Sequence, residues 1–144
     1  MDDLQTAVSD PVSLEALISQ TNALTKRILA DAIAEDEFDR LPFGAIKLDT
    51  QGKILKYNAF ESRISGVNRA NAVGKNFFAE VAPCTVVKQF YGRFKEGVKK
   101  GDLHEKFRFH FAFVKNPVDV NVTLFYCDLT MRVWVFVRPI MRGR

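Results

Sequence analysis

The chain has 144 residues, 47% hydrophobic and 26% charged, which fills one packed core and is too apolar for wholesale disorder. Eight glycines and five prolines exclude collagen-like and low-complexity architecture, and no apolar run approaches the ~18 residues of a membrane-spanning helix. The net charge of +4 is divided: residues 1–40 hold nine acids against three bases, residues 41–144 eighteen bases against eight acids. No helix-long basic stripe accompanies that surplus, so nucleic acid is not an expected partner. Met1-Asp2-Asp3 is acidic where a secretory signal is basic, and a soluble, cytoplasmic protein is the expectation. Cys84 and Cys127 form no CxxC pair, which excludes a disulfide framework and the usual zinc knuckles.

Asp10-Pro11-Val12-Ser13 reads as a helix entry. From Leu14 the apolar residues Leu17, Ile18, Leu24, Ile28, Leu29, Ala32 and Ile33 recur at three- and four-residue steps, which predicts one amphipathic helix of about twenty residues. Its stripe either covers a sheet face or pairs with a copy of itself. The texture changes at Leu41-Pro42-Phe43-Gly44, so residues 1–40 read as a helical leader and 41–144 as the folded domain.

Ala45 to Asp49 alternate at period two, Thr50-Gln51-Gly52 supplies a turn, and Lys53 to Asn58 return as a second strand. Ala59-Phe60-Glu61 begins a helical turn, and Pro83 biases Ala82 away from helix. Val87, Phe90, Tyr91, Phe94 and Val98 sit at helical spacing, and Gly101 suits the cap of that helix. Three strands follow. Phe107, Phe109, Phe111 and Phe113 alternate with Lys106, Arg108, His110 and Ala112 in the first, Val118, Val120, Val122 and Leu124 with Asp119, Asn121 and Thr123 in the second, and Arg132 to Arg138 form the third. Five strands in hairpin-like groups predict an α+β fold, one five-stranded antiparallel sheet flanked by helices.

Two stretches are more specific than any pattern. Phe43-Gly44-Ala45-Ile46 leads into Tyr57-Asn58-Ala59 and Glu61, and Gly74-Lys75-Asn76-Phe77-Phe78 leads into Ala82-Pro83-Cys84-Thr85. With Phe90 to Val98 and Trp134 to Val137, these runs resemble the photoactive yellow protein family from about Leu41 to Arg138. The resemblance implies a PAS-type domain that carries p-coumaric acid (4-hydroxycinnamic acid) as a thioester on Cys84. It sets the phenolate end against Tyr57 and Glu61, with Ser65 behind Tyr57 and with Phe77, Val67, Phe109 and Lys115 completing the surroundings. It also implies a signalling receptor rather than an enzyme. The downstream signalling partner is unspecified, and a homodimer through the leader helix is a further expectation.

The residue chemistry is consistent with that implication. A thioester needs a thiol on a loop that an activated acyl group can reach, as Cys84 after Pro83 offers. A buried phenolate must be hydrogen-bonded or it takes up a proton. Glu61 can donate only when protonated, which burial favours. On this reading light drives a trans-to-cis isomerisation, the Glu61 proton passes to the chromophore, and the stranded carboxylate is relieved by partial unfolding of the N-terminal region. Three positions depart from the family. Val67 replaces a shielding arginine, so the pocket loses its nearest cation. Phe109 replaces a tyrosine, and Lys115 a methionine associated with fast dark recovery. The alternative is therefore a PAS-like interaction, dimerisation or ligand-binding module that has lost photochemistry.

Overall fold

The computed structural model describes residues 23–113 and 117–140. The chain divides into two compact units, Met1–Phe38 and Asp39–Arg144. In the first, helix α1 (Ala23–Leu29) carries Lys26 and Arg27 in its last turn, where cations complement the helix dipole. The apolar stripe predicts a helix running on to Ile33, but α1 stops at Leu29. The Asp31 amide bonds back to the Ile28 carbonyl at 2.9 Å and the Ala32 amide to the Arg27 carbonyl at 2.7 Å. This Schellman closure requires a left-handed residue, and Asp31 supplies it at φ 62°. Aspartate accepts that conformation more readily than most side chains, so no glycine marks the stop. A short helix α2 (Glu35–Asp39) follows, and Arg27 grips Glu37 with two bonds of 2.8 and 2.6 Å. The predicted helix before residue 23 lies outside the described residues.

The second unit is built on one antiparallel sheet of five strands: β1 (Gly44–Leu48), β2 (Ile54–Tyr57), β3 (His104–Phe111), β4 (Val118–Cys127) and β5 (Arg132–Pro139). Their spatial order is β2-β1-β5-β4-β3. The first hairpin is closed by Asp49, whose Oδ1 accepts from the amides of Gln51 at 2.8 Å and Lys53 at 2.9 Å. Beyond β2 the backbone continues to pair: the Ile54 amide bonds the Lys75 carbonyl, the Gly74 amide the Ile54 carbonyl, and the Phe77 amide the Gly52 carbonyl, at 2.8–2.9 Å.

Between the hairpin and β3 run α3 (Ala59–Ser65), α4 (Arg69–Ala72), a π-turn at Phe77–Val81, a 3-10 turn at Pro83–Thr85, a second π-turn at Lys88–Gly92, and α5 (Arg93–Lys100). The spacing of Val87 to Val98 predicts a single helix. Instead, the Gly92 amide reaches the Val87 carbonyl in an i→i+5 bond at 3.2 Å, and α-helix begins only at Arg93. Gly101, left-handed at φ 72°, closes α5 as expected.

One face of the sheet holds the core. Ile46 and Leu48 of β1, Val133, Val135 and Val137 of β5, Val120, Val122 and Leu124 of β4, and Phe109 and Phe111 of β3 are all buried there. Phe77, Phe78, Phe90 and Phe94 come down on them from the helical side. Several rings meet edge-on: Phe90 approaches Phe109 at 5.1 Å and 83°, Phe77 approaches Phe78 at 5.1 Å and 81°, while Phe78 and Phe94 meet tilted at 48°. Edge-on contact is among the arrangements ring quadrupoles prefer.

Candidate functional site

The site begins at one turn of chain, where β2 ends and α3 begins. Asn58 is the N-cap of α3, with its Oδ1 accepting from the Glu61 amide at 3.0 Å. It is fully buried and does more than cap. The same Oδ1 accepts from the Ala45 amide at 3.0 Å, and Nδ2 donates to the Phe43 carbonyl at 3.0 Å. Asn58 therefore ties α3 to β1 across the sheet. Asp39 adds a second tie, accepting through Oδ1 from the Ala59 amide at 3.0 Å and from the Arg69 guanidinium.

That bracing fixes the two residues on either side of it. Tyr57 is buried, and its hydroxyl shares a 2.6 Å hydrogen bond with Ser65 Oγ. Ser65 Oγ also accepts from the Val67 amide at 3.0 Å, which orients the serine toward the ring. Burial, followed by the field of Glu61, pushes the Tyr57 phenol well above its usual range, while the bond to Ser65 opposes this. Tyr57 is thus a neutral donor at any ordinary pH.

Glu61 is fully buried one turn into α3. Both carboxyl oxygens lack a hydrogen-bond partner among the described residues. Desolvation alone pushes its pKa from 4.5 to about 8. At neutral pH Glu61 therefore holds its proton and can act as a donor. Buried polar groups are nearly always paired, so an unpaired carboxylic acid whose field reaches a tyrosine phenol suits an oxygen that arrives with a ligand.

Cys84 lies within the 3-10 turn Pro83–Thr85, half-buried, as a free thiol packed against the same core as Tyr57. The turn is pinned by Thr85, whose hydroxyl donates to the Ala82 carbonyl at 2.6 Å. Phe77 and Phe109 are buried in that core, and Val67 packs on its margin. Tyr57, Phe77 and Phe109 are members of the core on the sheet face, Val67 and Cys84 pack against it, Ser65 is bonded to Tyr57, and the field of Glu61 reaches the phenol. Lys115 lies outside the described residues. Cys127, at the end of β4, is free and half-buried.

Sequence reasoning gave no role to three residues that brace this site. Asn58 carried a signal, since Asn followed three residues later by Glu before an apolar run is a helix-start pattern. Asp39 and Arg69 carried none. Arg69 Nε donates to the Tyr57 carbonyl at 3.0 Å while the guanidinium pairs with Asp39. A cation thus stands against the tyrosine backbone although position 67 is a valine. Among the described residues, no helix is long and apolar enough to cross a membrane, and no group of three or more His, Cys, Asp or Glu could hold a metal.

Comparison with known proteins bears on this arrangement. No family model matches the chain. It is 42% identical over 106 residues to the photoactive yellow protein of Halochromatium salexigens, covering 74% of this chain and 85% of that one. Among solved structures it resembles the photoactive yellow protein domain from the sensor histidine kinase Ppr of Rhodospirillum centenum. There the identity is 45%, the TM-score 0.74, and the match covers 78% of this chain and 98% of that domain. The PAS domain of the quorum-sensing receptor RpfR of Cronobacter turicensis shares the fold, with a TM-score of 0.58 at 13% identity over 71% of this chain and 97% of that one.

Proposed function

Because the chain belongs to the photoactive yellow protein family, we propose that it is a blue-light receptor whose chromophore is p-coumaric acid joined through a thioester to Cys84. Residues 1–40 serve as its leader and 41–144 as its light-sensing PAS domain. The observation that supports the chromophore is Glu61, whose two fully buried oxygens have no partner among the described residues while its field reaches the Tyr57 phenol. A phenolic oxygen would supply the acceptor that Glu61 lacks, and Tyr57, backed by Ser65, offers a second hydroxyl, so the residues present fit the group.

When bound, the group supplies visible absorption and a light-driven trans-to-cis isomerisation. The chain does the rest. Cys84 Sγ gives up its proton and takes the acyl group from p-coumaric anhydride, whose carboxylate leaving group picks up that proton and departs as free p-coumaric acid. Tyr57, backed by Ser65, donates a hydrogen bond and stays neutral. Glu61 donates a second one and holds a proton that it can release. A Glu61 carboxylate would then sit fully buried without a partner. Stranding a buried charge costs about 3–5 kcal/mol, a large share of the ~5–15 kcal/mol that holds a small domain together. Partial unfolding of the N-terminal region is the signal we propose, read by a signalling partner of the kind to which the Rhodospirillum centenum domain belongs. After loading, no covalent turnover follows, so the protein acts as a receptor rather than an enzyme, in the cytoplasm.

Val67 and Phe109 support a second reading, an interaction or ligand-binding module of the same fold without photochemistry. One experiment separates the two. Wild type and Cys84→Ala are incubated with p-coumaric anhydride, and intact mass and visible spectra are recorded. The photoreceptor reading expects one coumaroyl group and a visible band in wild type only. Absence of an adduct, or an equal adduct on Cys84→Ala, would overturn it. In that case self-association that disappears on deleting residues 1–36 would support the second reading.

A further inference from the structure

Strand β1 presents a row of core-facing residues at period two, Gly44, Ile46 and Leu48, of which Ile46 and Leu48 are fully buried in the core. Gly44 continues that row and pairs with Val137, itself a core residue, where a branched apolar side chain would ordinarily stand. A glycine inside a strand carries an entropic cost and marks a place where something approaches closely. Its backbone does not demand glycine, because the left-handed glycines are Gly52, Gly66, Gly74 and Gly101.

What approaches is Glu61. A β-carbon built on Gly44 would fall well inside van der Waals contact distance of Glu61 Oε1, and would lie 3.2 Å from Cδ and 3.4 Å from Cβ of the same residue. All three nearest atoms belong to that one side chain. We propose that Gly44 is a positioning residue for Glu61: its bare α-carbon leaves a notch in β1 that the carboxyl fills, and this notch keeps the acid in the dry interior. The notch matters for light sensing only on the reading given above, but the packing relation itself needs no chromophore.

The titratable group that shares the neighbourhood is Tyr57 of β2, whose phenol feels the field of Glu61. Displacing the carboxyl from the notch moves it toward water or toward a polar partner, and either change favours the ionised form. Gly44→Ala therefore lowers the affinity of Glu61 for its proton.

The test uses the full chain without chromophore. The Glu61 carboxyl is followed by infrared absorption of its protonated C=O against pH, assigned by its loss in Glu61→Gln. Wild type is expected to titrate near 8, and Gly44→Ala at least about one pH unit lower. Thermal unfolding of Gly44→Ala should fall by more than about 5 °C, whereas the same change in a Glu61→Ala background should cost less than about 2 °C. An unmoved Glu61 titration in Gly44→Ala would overturn the proposal. Equal destabilisation in the two backgrounds, including failure of both to fold, would overturn it as well, since the notch would then serve a neighbour other than the carboxyl. A failed acylation of Cys84 leaves this result standing, and a failed titration leaves the thioester chemistry standing.

Discussion

The two ends of the core are built on different principles. At the hairpin end, Asn58, Tyr57, Ser65, Asp39 and Arg69 hold one turn of chain by discrete hydrogen bonds, each with an identifiable partner. At the other end, by β3, Phe90, Phe109 and Phe111 fill a volume, and their edge-on contacts name no unique partner. Hydrogen bonds are lost outright when one member goes, whereas an aromatic bed can repack. The first end should therefore be intolerant of single substitutions and the second forgiving. Glu61 sits at the intolerant end with both oxygens unpaired among the described residues, three residues from Asn58, whose side chain makes three hydrogen bonds.

The largest effect expected is a pH dependence. The folded pKa of Glu61 lies above its unfolded value, so its stabilising contribution is complete below about 4.5 and is lost as pH rises through about 8. At about 1.4 kcal/mol per pH unit over that interval, the chromophore-free protein should lose up to about 5 kcal/mol. Urea unfolding at stepped pH measures this, and Glu61→Gln should abolish the slope. A slope that survives the substitution would assign the effect to other groups. Next comes Asn58→Ala, which strips partners from the Phe43 carbonyl and the amides of Ala45 and Glu61. Each buried group left bare costs ~1–3 kcal/mol, so about 3–5 kcal/mol in all is expected.

The forgiving end supplies the contrast. Phe90→Leu keeps much of the volume and should cost less than about 1.5–2 kcal/mol, and equality with Asn58→Ala would erase the distinction between the two ends. Ser65→Ala removes the partner of the Tyr57 hydroxyl and should cost about 1 kcal/mol, visible also as a change in the tyrosine ultraviolet spectrum. Smallest is Arg69→Gln. Its ion pair with Asp39 is partly exposed and screened by salt, so about 0.5–1 kcal/mol is expected, falling as ionic strength rises.

The same contrast explains what could be read from sequence. Period-two alternation at Phe107 to Phe113 and Val118 to Leu124 announced strands because the signal repeats locally, and Thr50 to Gly52 announced the turn between β1 and β2. The roles suggested for Cys84, Tyr57 and Glu61 rested on a family motif, since a tyrosine and a glutamate four residues apart are otherwise unremarkable. The π-turns stayed hidden because one extra residue per turn is absorbed within a pattern of three- and four-residue steps. The end of α1 at Leu29 stayed hidden because Asp31 takes a conformation usually flagged by glycine. The bracing of the site was illegible for a different reason: Asp39 and Arg69 are thirty residues apart, as far as the chain is concerned unrelated, and only the fold brings the Arg69 guanidinium to both Asp39 and the Tyr57 carbonyl.

The strand order also decides where the sheet can grow. Its β2 border is already occupied by the backbone of residues 74–77, so a newcomer strand finds few amides there to pair with. The β3 border is guarded more lightly, by the Gln89 side chain on the Arg108 carbonyl. Two copies meeting there antiparallel would bring Lys106 and Arg108 of each against the other, and facing like charges repel. Fibre-like polymerisation is thus discouraged on one flank by occupancy and on the other by charge.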